Sequence, residues 1–195
     1  MYDVLWAKAS ELDVPIYLHP TFPSARMAES FKGEYPEFVG ANLGTSGWGW
    51  HSDVGLHVLK LFAAGVFDRF PKLKIIIGHM GEMLPFMLER CFEMSSKTRG
   101  GWGLRQRSLR QVWDENIWIT TSGVWSLAPI KCILENTRVD RIMYSVDYPF
   151  ESNDKGRAWF EQLEASGILN GEELEKIAYR NAEQLLKVQA PRIPA

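Results

Sequence analysis

The stretch Ile75-Ile76-Ile77-Gly78-His79-Met80-Gly81-Glu82 constrains the fold of this chain more than any other. A β-branched run climbs to a histidine, the chain turns on glycine, and a carboxylate follows in the opening turn of a helix. An apolar strand with a polar tip and then a helix is one βα step of a parallel α/β fold. The pattern recurs twice. Pro15-Ile16-Tyr17-Leu18 ends in His19, and Arg141-Ile142-Met143-Tyr144-Ser145-Val146 ends in Asp147. In parallel folds the strand tips carry the chemistry. Two histidines and an aspartate at three tips point to a metal-centred enzyme.

The rest of the chain fits around these steps. Residues 2–12 read as a helix and 14–18 as the first strand. Residues 20–52 read as a long irregular loop, rich in proline and glycine, whose Trp48 and Trp50 suggest a lid or contact surface. Ser52 or Asp53 is positioned to cap the next helix, in which Val54, Val58, Leu61 and Phe62 recur at helical spacing before Gly65. A strand over 73–77 follows, then a helix with Leu84, Leu88 and Cys91 on one face and Pro85 in its first turn. Residues 97–112 read as loop with some helix, and 117–120 as a strand with Thr121 and Ser122 at its tip. A helix ending at Asn136, a strand over 141–146, and helices over 154–165 and 172–188 complete the pattern. Four strands, each followed by helix, predict a parallel sheet with the strands adjacent in chain order.

A chain of 195 residues is long enough for one domain with a real core. A net charge of -2 gives no support to a nucleic-acid or anionic-membrane partner. No apolar run is long enough to span a membrane, and the N-terminus lacks the pattern of a signal peptide, so a cytoplasmic location is the default expectation. The 8 tryptophans suggest an aromatic-lined pocket or a subunit interface, unless they serve mainly as core. Cys91 and Cys132 have no metal-like spacing and read as buried, reduced thiols. The absence of Gly-x-Gly-x-x-Gly, P-loop and Gly-x-Ser-x-Gly motifs argues against nucleotide binding and a serine nucleophile.

Each candidate has a plain structural alternative. His19, locked before Pro20, is either a metal ligand or a buried histidine bonded to a carbonyl. His79 has Glu82 three residues on, either to orient its imidazole or simply to sit at a helix N-terminus. Asp147 at the end of a buried strand needs compensation by a metal, an arginine or backbone N–H groups. His57 reads as packing. His51 lies in the loop and carries no assigned role. Arg90, beside Glu89, reads as a solvated or salt-bridged residue.

Taken together, Tyr17-Leu18-His19-Pro20, Gly65-Val66-Phe67-Asp68-Arg69-Phe70-Pro71, Ile77–Pro85, Ser145–Glu151 and Asn181–Leu186 resemble the amidohydrolase-related metal-dependent decarboxylases. The resemblance is to the 2,3-dihydroxybenzoate, γ-resorcylate and salicylate decarboxylase branch. It implies a (β/α)8 barrel of TIM type with one divalent metal, Zn²⁺ or Mn²⁺, and a small aromatic carboxylate as substrate. It further implies a homo-oligomer and a place in secondary metabolism. By that resemblance His19 is the fifth-strand metal ligand, Asp147 the eighth-strand ligand and acid, and His79 the sixth-strand acid–base residue paired with Glu82. Arg90 matches a substrate-reaching or subunit-contact position; apart from the resemblance, Trp48, Trp50 and Phe150 are candidate substrate-contacting aromatics. The family's first-strand Glu-x-His pair has no counterpart here, and a full barrel needs about 250 residues. The resemblance thus implies one amidohydrolase-related domain over 1–195, truncated to strands five to eight. Metal-dependent hydrolysis of a lactone or amide, and a non-catalytic remnant, are the competing readings. With the first-strand Glu-x-His ligands missing, metal binding by this half alone is expected to be weak or absent.

Overall fold

A computed structural model of the protein describes residues 2–96 and 101–189. The first helix, α1 (Asp3–Leu12), leads through a left-handed Asp13 to β1 (Ile16–Leu18). Then come α2 (Ala25–Ala28), a 3-10 turn (Glu29–Phe31), α3 (Glu37–Gly44), α4 (Gly49–Ala63) and α5 (Val66–Arg69). Next are β2 (Ile75–Ile77), a single helical turn α6 (His79–Glu82), and α7 (Leu84–Ser96). Helix α8 (Leu109–Asn116) runs directly into β3 (Ile117–Thr120), and α9 (Leu127–Asn136) precedes β4 (Ile142–Met143). Helices α10 (Asn153–Ala165) and α11 (Gly171–Glu175), a π-helical turn (Lys176–Arg180) and α12 (Asn181–Leu186) follow.

The four strands form one parallel sheet in the order β1-β2-β3-β4. Alternation along each strand divides the sheet into two faces. One face carries Ile75, Ile77, Ile117, Ile119 and Ile142. They pack on Val58, Leu88, Trp113, Ile130, Ile133 and Trp159 from the helices in a single core. Burying each such side chain stabilises the fold by roughly 1.5–3 kcal/mol, so very short strands suffice. The other face carries Ile76, Trp118 and Met143, covered by Leu185 from α12. The Arg141 guanidinium lies 4.2 Å over the Trp118 ring. Tyr17, in register with Ile76 on that second face, is 47% exposed, so cover there is partial.

Several boundaries differ from the sequence expectation. The segment 20–52 is largely helical rather than an irregular loop. Ser24 caps α2, Pro36 stands at the N-cap of α3, and the glycines serve close packing. A Cβ on Gly49 would lie 2.4 Å from the Gly44 carbonyl oxygen, so the Gly44–Gly49 stretch is a tight corner between helices. Helix α4 consequently begins at Gly49, ahead of Ser52. The last strand is also shorter than 141–146. Past Met143 the Tyr144 N–H turns to the Ile177 carbonyl at 2.7 Å. Thr121 Oγ1 both donates to the Ser145 carbonyl (2.7 Å) and accepts from its N–H (3.0 Å), replacing the ladder. Within 97–112, residues 97–100 lie outside the described residues, and helix starts only at Leu109, where Ser108 and Gln111 form a capping box.

Of the tryptophans, Trp6, Trp113, Trp118 and Trp159 are buried, which makes core packing their main use. Cys91 is buried as expected, but Cys132 is only partly so. His57 faces solvent and does not pack, because it lies off the stripe that buries Val54, Val58 and Leu61. Two buried asparagines pin the strand entries. Asn116 Nδ2 donates to the Pro71 and Leu73 carbonyls at 2.9 and 2.6 Å, and Asn181 Nδ2 to those of Val139 and Ile142 at 2.7 and 2.8 Å. Asp13 holds Lys74 and Lys187 at 2.6 and 2.7 Å, and these two ammonium partners bring its carboxyl down to about 2.

Candidate active site

The residues beyond β2 form a backbone turn of the wrong hand. His79, Met80, Gly81, Glu82 and Met83 have φ of 47°, 57°, 88°, 53° and 66°. Left-handed backbone costs an L-residue roughly 1–2 kcal/mol, and such strain clusters at functional sites. Only Gly81 escapes the cost. The turn closes through the Gly81 N–H, which donates to the Gly78 carbonyl at 2.7 Å. Helix α4 supports it from outside: a Cβ on Gly55 would lie 2.7 Å from the Glu82 carbonyl oxygen, so glycine permits the approach.

This turn buries the Glu82 side chain completely and makes it the centre of a relay. Its Oε1 accepts from His79 Nδ1 at 2.7 Å, and its Oε2 accepts from His51 Nδ1 at 2.8 Å. The two imidazoles meet edge to face, with centroids 4.6 Å apart. With Nδ1 committed to Glu82, His79 turns Nε2 toward Asp147, whose Oδ2 lies 3.6 Å away. That separation is long for a direct hydrogen bond. Asp147 is itself left-handed, with φ of 72°, as is Gly123 of the neighbouring tip at 71°. Below the relay, on the partly covered face, Tyr17 Oη, Thr120 Oγ1 and Ser122 Oγ bond one another at 2.5, 3.0 and 2.6 Å, and Ser122 reaches Ser145 Oγ at 2.8 Å.

The electrostatics follow from the pairing. Burial pushes the Glu82 carboxyl up, but the hydrogen bonds from His51 and His79 outweigh it and hold it below its ordinary 4.5. The hydrogen bond to Glu82 raises His51 above its ordinary 6.5, against the effect of its own burial. A lowered carboxyl stabilises the fold above 4.5 and loses that contribution as pH falls through its folded value. A raised histidine stabilises below 6.5 and loses its contribution as pH rises through its folded value. Unfolding by urea is therefore expected to show the largest excess of wild type over His51→Gln between pH 4.5 and 6.5, shrinking on both sides. An excess independent of pH would exclude the pairing.

The amidohydrolase family profile matches residues 1–188. The chain belongs to the amidohydrolase family. Within the family it is 76% identical over 187 residues to Decarboxylase orsB of Emericella nidulans, covering 96% of this chain and 56% of that protein. A crystal structure of a dihydroxybenzoic acid decarboxylase from Polaromonas sp., with bound manganese and the inhibitor 2-nitroresorcinol, superposes with a TM-score of 0.84. The two are 32% identical, over 95% of this chain and 53% of that one. A 2,6-dihydroxybenzoate decarboxylase complexed with 2,6-dihydroxybenzoate superposes with a TM-score of 0.83 at 31% identity, over 96% of this chain and 55% of that one. This amidohydrolase chain thus spans a little over half the length of these relatives.

Of the residues singled out in the sequence, the amidohydrolase site brings His79, Glu82 and Asp147 together. His19 stands at the exposed end of β1, and its Nδ1 lies 2.8 Å from the Pro20 carbonyl oxygen. A carbonyl only accepts, so Nδ1 carries the proton and Nε2 keeps its lone pair. A metal-ligating histidine needs that tautomer, fixed by a carbonyl behind the ring. Imidazole nitrogen of this kind is a ligand type that suits zinc or manganese. His51, His79 and Glu82 also offer ligand atoms within 4.8 Å of one another, a group able to hold a metal if its internal hydrogen bonds gave way.

The side chains of the remaining candidates do not join the hydrogen bonds of the relay. Arg90 is on the solvent side of α7, 3.7 Å from Glu93 of its own helix; its long side chain leaves the core face that Leu88 and Cys91 occupy. Phe150 and Trp48 are 79% and 53% exposed, and Trp50 packs edge to face on Phe22 at 5.4 Å. His51 was missed because the helix was expected to begin after it. The signal was present: counting back from Val58 and Val54 by three or four residues lands on His51, so the buried stripe of α4 extends one turn further.

Proposed function

We propose that this chain carries the acid–base half of a metal-dependent decarboxylase acting on a hydroxylated aromatic carboxylic acid. The carrying observation is the His79–Glu82 pair aimed at Asp147 beside the tip that holds His19. The names of the relatives, and the dihydroxybenzoate and nitroresorcinol that two of them bind, support the substrate class. Direct loss of CO₂ from an aromatic ring leaves an electron pair in the ring plane, where it is poorly stabilised. Protonating the carboxyl-bearing carbon first avoids this.

On this reading, His19 and Asp147 hold one divalent ion, Mn²⁺ or Zn²⁺. When bound, that ion supplies charge to fix the substrate carboxylate and ionise its ortho hydroxyl. Asp147 presents a proton to the ring carbon and regains it from solvent after CO₂ leaves. His79 Nε2, its ring fixed through Nδ1 by Glu82, bonds a substrate oxygen and sets the protonation state of Asp147. Phe22, Trp48, Trp50 and Phe150 lie on loops and helix ends able to cover the ring and exclude water. Arg90, exposed on α7, is proposed as a contact between subunits of a homo-oligomer.

We further propose that the remaining strands of the barrel supply the other ligands. The partly covered face of the sheet, and the edges of β1 and β4 that pair with no strand among the described residues, support this. The test joins the chain to a barrel segment carrying the Glu-x-His pair and measures metal content and CO₂ release from 2,6-dihydroxybenzoate. The joined protein is expected to bind one metal ion per chain and release CO₂, while the 195-residue chain alone releases none. Lactone hydrolysis without CO₂ release, or turnover by the chain alone, would overturn the reading.

A further inference from the structure

We infer that His51 is a positioning residue that stands as an imidazolium and fixes the Glu82 carboxylate beneath His79, an inference that rests on the role proposed for His79. The donors and acceptors around the ring require the cation. His51 Nδ1 lies 2.8 Å from Glu82 Oε2, and its Nε2 lies 3.0 Å from the Ser46 carbonyl oxygen. A carboxylate and a carbonyl only accept, so both ring nitrogens must donate, and only the cation has two N–H groups. The one alternative places the shared proton on Glu82. Glu82 already accepts from His79 Nδ1 at its other oxygen, and two donors on one carboxylate favour its ionised form.

The consequence is geometric as well as electrostatic. Glu82 is 1% exposed, where an uncompensated charge is costly. His51 supplies the counter-charge from the first turn of α4, and Gly55 seats the next turn of the same helix against the Glu82 backbone. The two rings occupy the two carboxylate oxygens, so the plane of Glu82 is set by His51 of α4 together with His79 of the strained turn itself. His79 then has one place to put its Nδ1 proton, and Nε2 is left facing Asp147. The groups around the His51 ring are Glu82 and His79 of α6, the Ser46 carbonyl, and, further off, Asp147.

The test uses ring ¹⁵N spectra of the full chain without metal or substrate, so its outcome is independent of whether the decarboxylase reading holds. Only 4 histidines are present, which makes assignment by substitution direct. At pH 7 His51 is expected to show two protonated ring nitrogens, and His79 the single Nδ1–H tautomer. In Glu82→Gln the His51 midpoint is expected to fall, because the partner carboxylate that raises it is gone. In His51→Gln, His79 is expected to become a mixture of tautomers while the circular dichroism of the fold is retained. A neutral His51 at pH 7 in the wild type, or an unchanged His79 tautomer in His51→Gln, overturns the inference. If Glu82→Gln does not fold, those two measurements decide it alone.

Discussion

Gly81→Ala is expected to lower stability by about 2–5 kcal/mol, combining a left-handed backbone penalty with overpacking. At φ of 88° glycine is the one residue of the reversed turn that adopts its backbone without cost. An alanine Cβ there would lie 2.6 and 2.8 Å from Pro85 Cγ and Cδ, and 3.1 Å from Ile119 Cδ1. The proline is the rigid start of α7 and the isoleucine belongs to β3, so neither can retreat. For a chain of this size the melting temperature should fall by roughly 4–20 °C. Met83→Gly is the control. Met83 has φ of 66° and is 37% exposed, so glycine relieves backbone strain while giving up part of the side chain's burial, and the net change should be much smaller than for Gly81→Ala. Equal melting temperatures for wild type and Gly81→Ala would show that the turn is not held in the left-handed form.

On the proposed reading, Asp147→Asn in the completed barrel should reduce kcat by about 10²–10⁴ through loss of the acid, with loss of metal as well. Asparagine keeps the shape and presents an amide where the carboxylate faces His79 Nε2 at 3.6 Å. His19→Ala should lower metal content, since its free Nε2 has no substitute on β1. His79→Ala should lower turnover while leaving most of the metal, because its Nδ1 is engaged by Glu82 and its Nε2 approaches Asp147 rather than an open ligand position. Metal analysis and CO₂ release on the three variants separate these roles. Stoichiometric metal with normal turnover in all three would dismiss the assignment.

The variants act on residues that differ in how openly the sequence displayed them. Ile75–Ile77, Ile117–Ile119 and Ile142 announce buried parallel strands by composition alone, since a strand covered on both faces has no polar alternation to lose. His79 and Glu82 were legible as a pair because three residues across a turn keep two side chains within reach. Asp147 was legible as a residue needing compensation. Its actual setting, four residues beyond the end of β4, was not: the strand ends early because Thr121 and Ile177, distant in the chain, take over its backbone hydrogen bonds.

Local pattern therefore determined the parallel sheet, its order and three members of the relay. Tertiary structure alone decided the rest. The left-handed turn at 79–83 contradicts the local preference of four of its five residues and exists because α4, β3 and Pro85 enclose it. The helices within 20–52 are short, and proline and glycine obscure them; they stand because they pack on one another. His51 reaches Glu82 only because Gly55 lets α4 close on the turn. Its charge is a property of two acceptors, Glu82 and the Ser46 carbonyl, that lie 31 and 5 residues away in sequence. No single stretch of the chain contains them all.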